Sequence, residues 1–219
     1  MKIHSIILAR GGSKGIKNKN LIIIKNKPLI YWSIQKSKKS KLVHKTWVSS
    51  DNKKILETAS KFGAEIIIRP KSLSRDNSTS EIAWEHAVNY IQEKYKIDAV
   101  LGIQPTSPIR KSSDFDNAIK YFKKNRFDSI FSSNKIQDFN TWKFKNKKLI
   151  SNYNYKKRKR RQDIENFYLE NGSFYIFKSN KFLKNKNRLF GKIGHFEMGK
   201  KSMFQLDDLI DLKIIKLLI

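Results

Sequence analysis

The chain has 219 residues, a formal net charge of +28 and no cysteine. This length is typical of one domain with a substantial core, and the absence of cysteine excludes a disulfide scaffold, a zinc finger and a cysteine nucleophile. The apolar runs are too short for a bilayer-spanning helix, and the N-terminal run is too short for a signal peptide. We therefore expect a cytoplasmic protein with no membrane partner.

The charge excess has two explanations. Clustered cations are typical of nucleic-acid-binding proteins, because they displace counterions from phosphates. Most of this excess, however, is lysine scattered along the chain, and isoleucine and asparagine are also abundant. These three residues share A/T-rich codons, which favours a compositional origin. We expect no nucleic-acid partner, and only the basic run 156–160 stays open between a binding patch and a solvated surface.

Strand-like and helix-like segments alternate in the first part of the chain. The predicted strands are Ile3–Ala9, Thr46–Ser49, Ala64–Ile68, Ala99–Ile103 and Ser129–Phe131. The predicted helices are Pro28–Lys39, Asp51 or Asn52 to Phe62, Ser78–Tyr95, and Ser113 or Asp114 to about Lys124. This alternation predicts an α/β fold with a mainly parallel sheet and right-handed crossovers.

The alternation breaks at residue 134. The segment 134–165 is polar and basic, and its aromatic residues are spaced as in a hairpin. Ser173–Phe177 then predicts a strong strand, and Asp211–Ile219 predicts a final helix. We interpret residues 1–219 as a single α/β domain with an inserted excursion at 134–165.

The loop after the first strand, residues 10–20, combines glycines with Arg10, Lys14, Lys17 and Lys19. Glycines allow the backbone to approach a ligand closely, and a loop at the carboxyl end of a parallel strand is a typical phosphate site. The pattern is neither a P-loop nor the dinucleotide Gly-x-Gly-x-x-Gly. The alternative is a basic surface loop, but its position after the first strand favours a polyphosphate cradle.

Several short motifs follow one another along nearly the whole chain. They are Ile7-Leu8-Ala9-Arg10-Gly11-Gly12-Ser13-Lys14-Gly15, Ser49-Ser50-Asp51, Arg69-Pro70 before Ser78-Thr79-Ser80, Gln104-Pro105-Thr106-Ser107-Pro108 with Arg110, Arg161-Gln162-Asp163, and Glu170-Asn171-Gly172-Ser173-Phe174-Tyr175-Ile176. In this order they resemble the CMP-N-acylneuraminate synthetases and their relatives for legionaminic and pseudaminic acids. The 3-deoxy-octulosonate cytidylyltransferases fit less well, because their first loop lacks the Gly-Gly-Ser-Lys-Gly pattern.

The resemblance implies a Rossmann-like sheet of the nucleotide-diphospho-sugar transferase type. It also implies transfer of CMP from CTP to the anomeric hydroxyl of a nine-carbon acidic α-keto sugar, with release of pyrophosphate, by a homodimer that the excursion holds together. The implied roles are catalytic for Arg10, Lys14 and Lys19, nucleotide-binding for Gly11, Gly12, Ser13, Asn20, Arg69 and Ser80, and sugar-binding for Gln104, Arg161, Gln162 and Asn171.

The segment Gln205-Leu206-Asp207 is the candidate metal site. Alternate residues of an extended segment point the same way, so positions 205 and 207 could share one ion. The family usually has Asp-x-Asp here and binds Mg²⁺ with it. Because a Gln carbonyl is a weaker, neutral ligand, Asp207 becomes the main anchor for Mg²⁺ and Gln205 a secondary one. Asp208 and Asp211 are predicted to cap the last helix.

A few features have more than one interpretation. Asn171-Gly172 is equally a tight turn before a strand. The four histidines, His4, His44, His86 and His195, have no metal-ligand spacing and are predicted to be structural or exposed, while Trp32 and Trp84 are predicted core residues. The unusual Gln205 leaves open a non-catalytic sugar-nucleotide-binding homologue, and a basic nucleic-acid-binding protein is the third hypothesis.

Overall fold

The computed structural model of the protein describes residues 1–12, 15–136 and 140–219. The described strands are β1 (Ile3–Leu8), β2 (Ile23–Ile24), β3 (Lys27–Pro28), β4 (Lys45–Ser50), β5 (Glu65–Ile68), β6 (Ala99–Ile103), β7 (Ser129–Ile136), β8 (Trp142–Lys145), β9 (Lys148–Ser151), β10 (Phe167–Lys178) and β11 (Ile193–Glu197). The α-helices are α1 (Leu29–Lys38), α2 (Lys53–Lys61), α3 (Ser80–Gln92), α4 (Ser112–Lys124), α5 (Ser179–Asn185) and α6 (Leu209–Leu218).

Seven strands form the central sheet in the order β11-β7-β10-β6-β1-β4-β5. The pairs β1–β4, β1–β6, β4–β5 and β7–β11 are parallel, and only β10 runs antiparallel to its two neighbours. The prediction of an α/β fold with a mainly parallel sheet is confirmed. Because parallel strands end at the same edge, the loops after β1, β4 and β6 meet at one end of the sheet.

Helices cover both faces of this sheet. Buried side chains of α1, α2 and α4 pack on one face, with Ile34, Ile55 and Phe115 among them. The opposite face is covered by α3 and α5, through Trp84 and Phe182. β1 is therefore buried on both faces, which explains its continuous apolar sequence.

The helix starts follow the polar side chains in the sequence. The side chain of Asn52, rather than that of Asp51, accepts the backbone N–H of Ile55 at the start of α2. Asp208 and Asp211 form a reciprocal capping box at the start of α6, so the predicted capping of the last helix is confirmed. The preceding segment 205–207 has its own contact with the body of the domain, because the Leu206 N–H donates to the carbonyl of Thr106.

One of the two interpretations of Asn171-Gly172 is excluded, and one core prediction is wrong. Asn171-Gly172 is not a tight turn before a strand, because both residues lie within β10, where the pairing with β7 shifts register between Glu170 and Tyr175. Gly172 has φ +63° at this irregularity, a backbone conformation that suits glycine. Trp32 is only partly buried, whereas Trp84 is in the core as predicted.

The excursion contains the predicted hairpin. β8 and β9 pair in antiparallel register, with Trp142 opposite Ser151 and Phe144 opposite Leu149. Among the helices of the described residues, none is long and apolar enough to cross a membrane.

Candidate active site

A cleft of about 600 Å³ opens at the edge of the sheet where the parallel strands end. Its walls come from the loop after β1, the segment between β5 and α3, the loop after β6, and the segment before α6. The residues that line it are Leu8, Arg10, Gly15, Lys19, Asn20, Arg69, Leu73, Ser74, Arg75, Asp76, Ser78, Thr79, Ser80, Ala83, Gln104, Pro105, Thr106 and Asp207. Segments that are far apart in the chain therefore form a single site.

The loop after β1 places two cations in this cleft. The Nη1 of Arg10 lies 3.1 Å from Oδ1 of Asp76 and donates to the carbonyl of Arg75. The Nζ of Lys19 donates to the carbonyl of Leu206 at 2.7 Å and to Oδ1 of Asp207 at 3.1 Å. These contacts hold both cations in defined positions at the cleft.

The backbone of this loop is itself fixed by side chains. The Gly11 N–H donates to Oδ1 of Asp51 at 2.9 Å, and Nδ2 of the buried Asn20 donates to the carbonyl of Arg10 at 3.0 Å. A Cβ on Gly15 would lie 2.7 Å from the carbonyl oxygen of Asp207. Glycine at position 15 thus lets the first loop and the metal-candidate segment come into contact.

Arg69 adds a buried cation to the cleft wall. Only 4% of the residue is exposed, and its Nε donates to Oγ of Ser74 at 2.9 Å. Burial lowers the pKa of the Arg69 guanidinium, an effect that the neighbouring Asp51 opposes and Arg10 reinforces. A positive charge with little water around it interacts strongly with an anion that enters the cleft.

Gln104, which lines the floor of the cleft, lies next to Gly172 and Gln205. A Cβ on Gly172 would lie 2.8 Å from Oε1 of Gln104 and 3.1 Å from both side-chain polar atoms of Gln205. The Nε2 of Gln205 donates to the carbonyl of Asn171 at 2.9 Å. The irregularity in β10 therefore creates the space in which two Gln side chains lie side by side.

The guanidinium of Arg110 stabilises this floor through hydrogen bonds. Its guanidinium donates to the carbonyl of Gln104 and to Oγ of Ser33, both at 2.7 Å, and to the carbonyl and Oγ of Ser173. It is 6% exposed, and burial lowers its pKa, which Asp114 partly counteracts. Arg110 is thus a positioning residue that links α1, the loop after β6 and β10.

The whole chain matches one protein family. A family model described as "Cytidylyltransferase" covers residues 4–216. The chain belongs to the cytidylyltransferase family.

Curated relatives of this cytidylyltransferase are of two lengths. The chain is 31% identical to the post-translational flagellin modification protein B of Campylobacter coli over 100% of the chain and 95% of the relative, and 29% identical to the pseudaminic acid cytidylyltransferase of Campylobacter jejuni over 100% and 96%. It is 31% identical to the N-acylneuraminate cytidylyltransferase of Escherichia coli O18:K1:H7 over 97% of the chain, but spans only 51% of that relative.

Solved structures agree on the fold. The structure of CMP:2-keto-3-deoxy-manno-octonic acid synthetase complexed with CTP superposes with a TM-score of 0.73 at 17% identity, and the match covers 100% of this chain and 98% of that one. At this identity the likeness concerns the fold alone. It agrees with the α/β fold and the mainly parallel central sheet of this chain.

The cleft of this family member brings together seven of the fifteen predicted site residues. Those that line it are Arg10, Lys19, Asn20, Arg69, Ser80, Gln104 and Asp207. Gly11 and Gly12 lie in the same loop outside the lining, and Ser13 and Lys14 lie outside the described residues. Gln205 lies beneath the floor, next to Gln104.

The predicted sugar-binding residues separate into two groups. Gln104 lies in the cleft, whereas the side chain of Asn171 is fully buried and bonded to Ser132, Asn134 and Ser202. Gln162 is exposed on a short helical turn of the excursion and does not line the cleft, and the side chain of Arg161 is outside the described part of the chain. The buried side chain of Asn171 therefore does not face the cleft as a sugar ligand would. Its backbone carbonyl instead accepts a hydrogen bond from Gln205.

Arg75 and Asp76 are cleft residues that the motifs do not indicate. Both lie in the segment between β5 and α3, and Asp76 pairs with Arg10. Their only signal in the sequence is their position between Arg69-Pro70 and Ser78-Thr79-Ser80. Any polar residue there would be brought to the same edge of the sheet.

Proposed function

We propose that this chain transfers CMP from CTP to the anomeric hydroxyl of an acidic nine-carbon α-keto sugar, such as sialic acid or a legionaminic or pseudaminic relative. The observation that carries the proposal is the convergence of Arg10, Lys19, Arg69 and Arg75 with Gln104 in one cleft. Four cations suit a triphosphate, and a Gln side chain offers a donor and an acceptor to a base or a sugar hydroxyl. The names of the E. coli and C. jejuni relatives support the same reaction.

The chemistry requires positioning and neutralisation of charge. The anomeric oxygen attacks the α-phosphorus, the bond from that phosphorus to the bridging oxygen breaks, pyrophosphate leaves, and the hydroxyl proton passes to solvent. Arg10 and Lys19 would bear the negative charge of the triphosphate and of the leaving pyrophosphate. The adjacent cleft walls would align the two substrates, which accounts for much of the acceleration in reactions of this class.

Mg²⁺ is part of the proposal, with Asp207 as its main anchor. The Asp207 side chain is 75% exposed and lies 3.1 Å from Lys19, so it is accessible at the place where phosphates would lie. No group of three or more His, Asp or Glu residues among the described ones could hold a metal alone. One carboxylate fits Mg²⁺, which commonly binds through one or two carboxylates plus substrate phosphates. When bound, the ion would neutralise phosphate charge.

We also propose a homodimer held together by the excursion. The hairpin exposes apolar side chains, including 73% of Phe144 and 66% of Leu149, and the first half of β10 exposes Phe167. Such a patch is typical of an interface between proteins. A second copy covering it would bring Arg161 and Gln162 towards the partner's cleft, where a guanidinium suits a sugar carboxylate. A cytoplasmic location, where CTP is available, belongs to the same proposal.

The test is release of pyrophosphate from CTP with Mg²⁺ and a panel of sialic, legionaminic and pseudaminic acids. We expect release with at least one of these sugars, and none with CTP alone or with a neutral hexose. CTP binding without release with any acidic sugar would favour the non-catalytic homologue. Absence of CTP binding would contradict the proposal altogether.

A further inference from the structure

A second cavity, of about 570 Å³, shares no lining residue with the cleft. It is formed by α1, the loop 108–111, the start of α4, the segment 198–202 and the end of α6, whereas the lining of the first cleft includes the start of α3. Nothing in the proposed reaction uses this cavity.

The cavity is strongly cationic at its rim. Lys36, Lys111, Lys200 and Lys201 line it, and none of the four has a carboxylate within 4 Å among the described residues. The one Asp in the lining, Asp114, is already engaged, because it accepts the backbone N–H of Lys111 at 2.7 Å. Four lysines and one aspartate leave this rim with a surplus of positive charge.

The wall of the cavity contains two buried donors without acceptors. The Nε of Arg110 and the Nε1 of Trp32 have no hydrogen-bond partner among the described residues. Arg110 is 6% exposed, and no carboxylate lies within 4 Å of its guanidinium among the described residues, although the more distant Asp114 offsets part of its charge. A buried cation without a close anion is unfavourable, and a further anion nearby would reduce that cost.

The remaining lining is apolar. Ile109, Met198, Leu218 and the indole of Trp32 supply it. A purely inorganic ion would leave this surface wet, whereas an apolar ring would cover it. The indole offers a flat face for such a ring.

We infer that this cavity is a second binding site, for a small organic anion that carries one phosphate or carboxylate group on an apolar ring. The anionic group lies among Lys36, Lys111, Lys200 and Lys201, and the ring packs against Trp32. The inference is independent of the proposed function, because binding here requires neither CTP nor a sugar.

The test is a titration of the protein with phenyl phosphate, in which binding is measured by calorimetry and by tryptophan fluorescence. Benzoate tests the carboxylate form, while inorganic phosphate and benzyl alcohol carry only one half of the ligand. We expect phenyl phosphate or benzoate to bind at least about tenfold more tightly than either half, a difference of about 1.4 kcal/mol. The chain has four tryptophans, and Trp32 is the one that lines this cavity. The fluorescence change should therefore disappear in Trp32→Phe.

Matched variants locate the site. Lys36→Glu combined with Lys200→Glu should weaken phenyl phosphate binding at least about tenfold through loss of charge attraction. Lys54→Glu combined with Lys94→Glu makes the same change of net charge at exposed positions elsewhere, and should leave binding unchanged. Arg10→Ala, in the first cleft, should also leave it unchanged. Equal weakening by both double variants, loss of binding in Arg10→Ala, or no preference over the two half ligands would overturn the inference.

Discussion

At the scale of single residues, the cleft holds its cations with its own carboxylates and carbonyls. Lys19 is only 13% exposed and bonds to Leu206 and Asp207, and Arg10 pairs with Asp76. Part of this was predictable, since glycines and cations after a first strand indicate a phosphate site. The pairing with Asp76 was not, because it depends on how two distant loops fold against each other.

Removing one of these cations should slow turnover severely. We expect Lys19→Ala and Arg10→Ala each to lower the turnover number at least about 100-fold, the scale of losing a preorganised charge contact. Lys17→Ala is the matched control, because Lys17 is exposed in the same loop and does not line the cleft. Steady-state pyrophosphate release measures the effect. Wild-type-like kinetics in both cleft variants would remove the loop from the active site.

Asp207 and Gln205 should respond differently to substitution. Asp207→Asn removes the exposed carboxylate, and we expect a large loss of turnover together with a weaker dependence on Mg²⁺ concentration. Gln205→Ala removes a bond to the Asn171 carbonyl, so a smaller loss is expected. Turnover measured across a Mg²⁺ titration distinguishes the two. An equal loss in both would make Gln205 a full metal ligand.

His4 should make the fold sensitive to acid. Burial, helped by nearby His44, lowers the pKa of His4 to about 4, and its Nδ1 accepts from Nε1 of Trp47 at 2.9 Å. Because the unfolded pKa is about 6.5, the folded state favours neutral His4, and this stability is present above pH 6.5 and lost as pH falls towards 4. The loss should reach about 3 kcal/mol.

Urea unfolding between pH 7 and pH 4.5 measures this loss. His4→Gln keeps an acceptor in the side chain but cannot titrate, so its free energy of unfolding should fall less over the same range. If the free energy of unfolding depends on pH in the same way in the wild type and the variant, protonation of His4 does not contribute to the loss of stability in acid.

At the scale of elements, the helices α1 to α4 and α6 and the parallel strands β1, β4, β5, β6 and β7 followed from the sequence, whereas α5, β11 and most of β10 did not. The strand-like run Ser173–Phe177 accounts for less than half of it, since Glu170, Asn171 and Gly172 do not have a strand pattern. Those residues stay in the strand because buried Asn171 bonds to Ser132 and Asn134, and Gly172 accommodates the irregularity. Tertiary bonds of this kind have no local signal in a sequence.

The hairpin β8–β9 should be the element that determines oligomeric state. Phe144→Asp combined with Leu149→Asp places two charges on its exposed apolar surface, and we expect a monomer, because burying an unpaired charge is costly. Sedimentation equilibrium measures the mass. The control is Ile23→Asp, which changes an exposed apolar residue of β2 outside the excursion. A wild-type chain that is already monomeric, or a double variant that stays dimeric, contradicts the proposed interface.

At the scale of the whole molecule, the charge of +28 resolves into a few positioned cations and a larger, dispersed remainder. Four line the first cleft, and Arg110 is buried between that cleft and the second cavity. The sequence indicated three of the four cleft cations, at 10, 19 and 69. Arg75 was missed because nothing in its neighbourhood distinguishes it from the dispersed majority.

Arg110 should matter to global stability, because it joins α1, the loop after β6 and β10. We expect Arg110→Met to lower the free energy of unfolding by about 3 kcal/mol, since it leaves several buried acceptors unpaired. Arg126→Met is the control, because Arg126 is exposed. Urea denaturation of both variants measures the difference. A loss no greater than the control's would mean that the guanidinium is readily replaced.

The strand order also bears on synthesis of the chain. β1, β4, β5 and β6 pair with one another and are complete once Ile103 has been made, but β7 has only β10 and β11 as neighbours in the central sheet. A nascent chain on the ribosome therefore carries an open edge at β6 and an unattached β7 until β10 inserts between them. Asp207 comes later still, so the cleft acquires its last wall only after nearly all of these residues have left the ribosome.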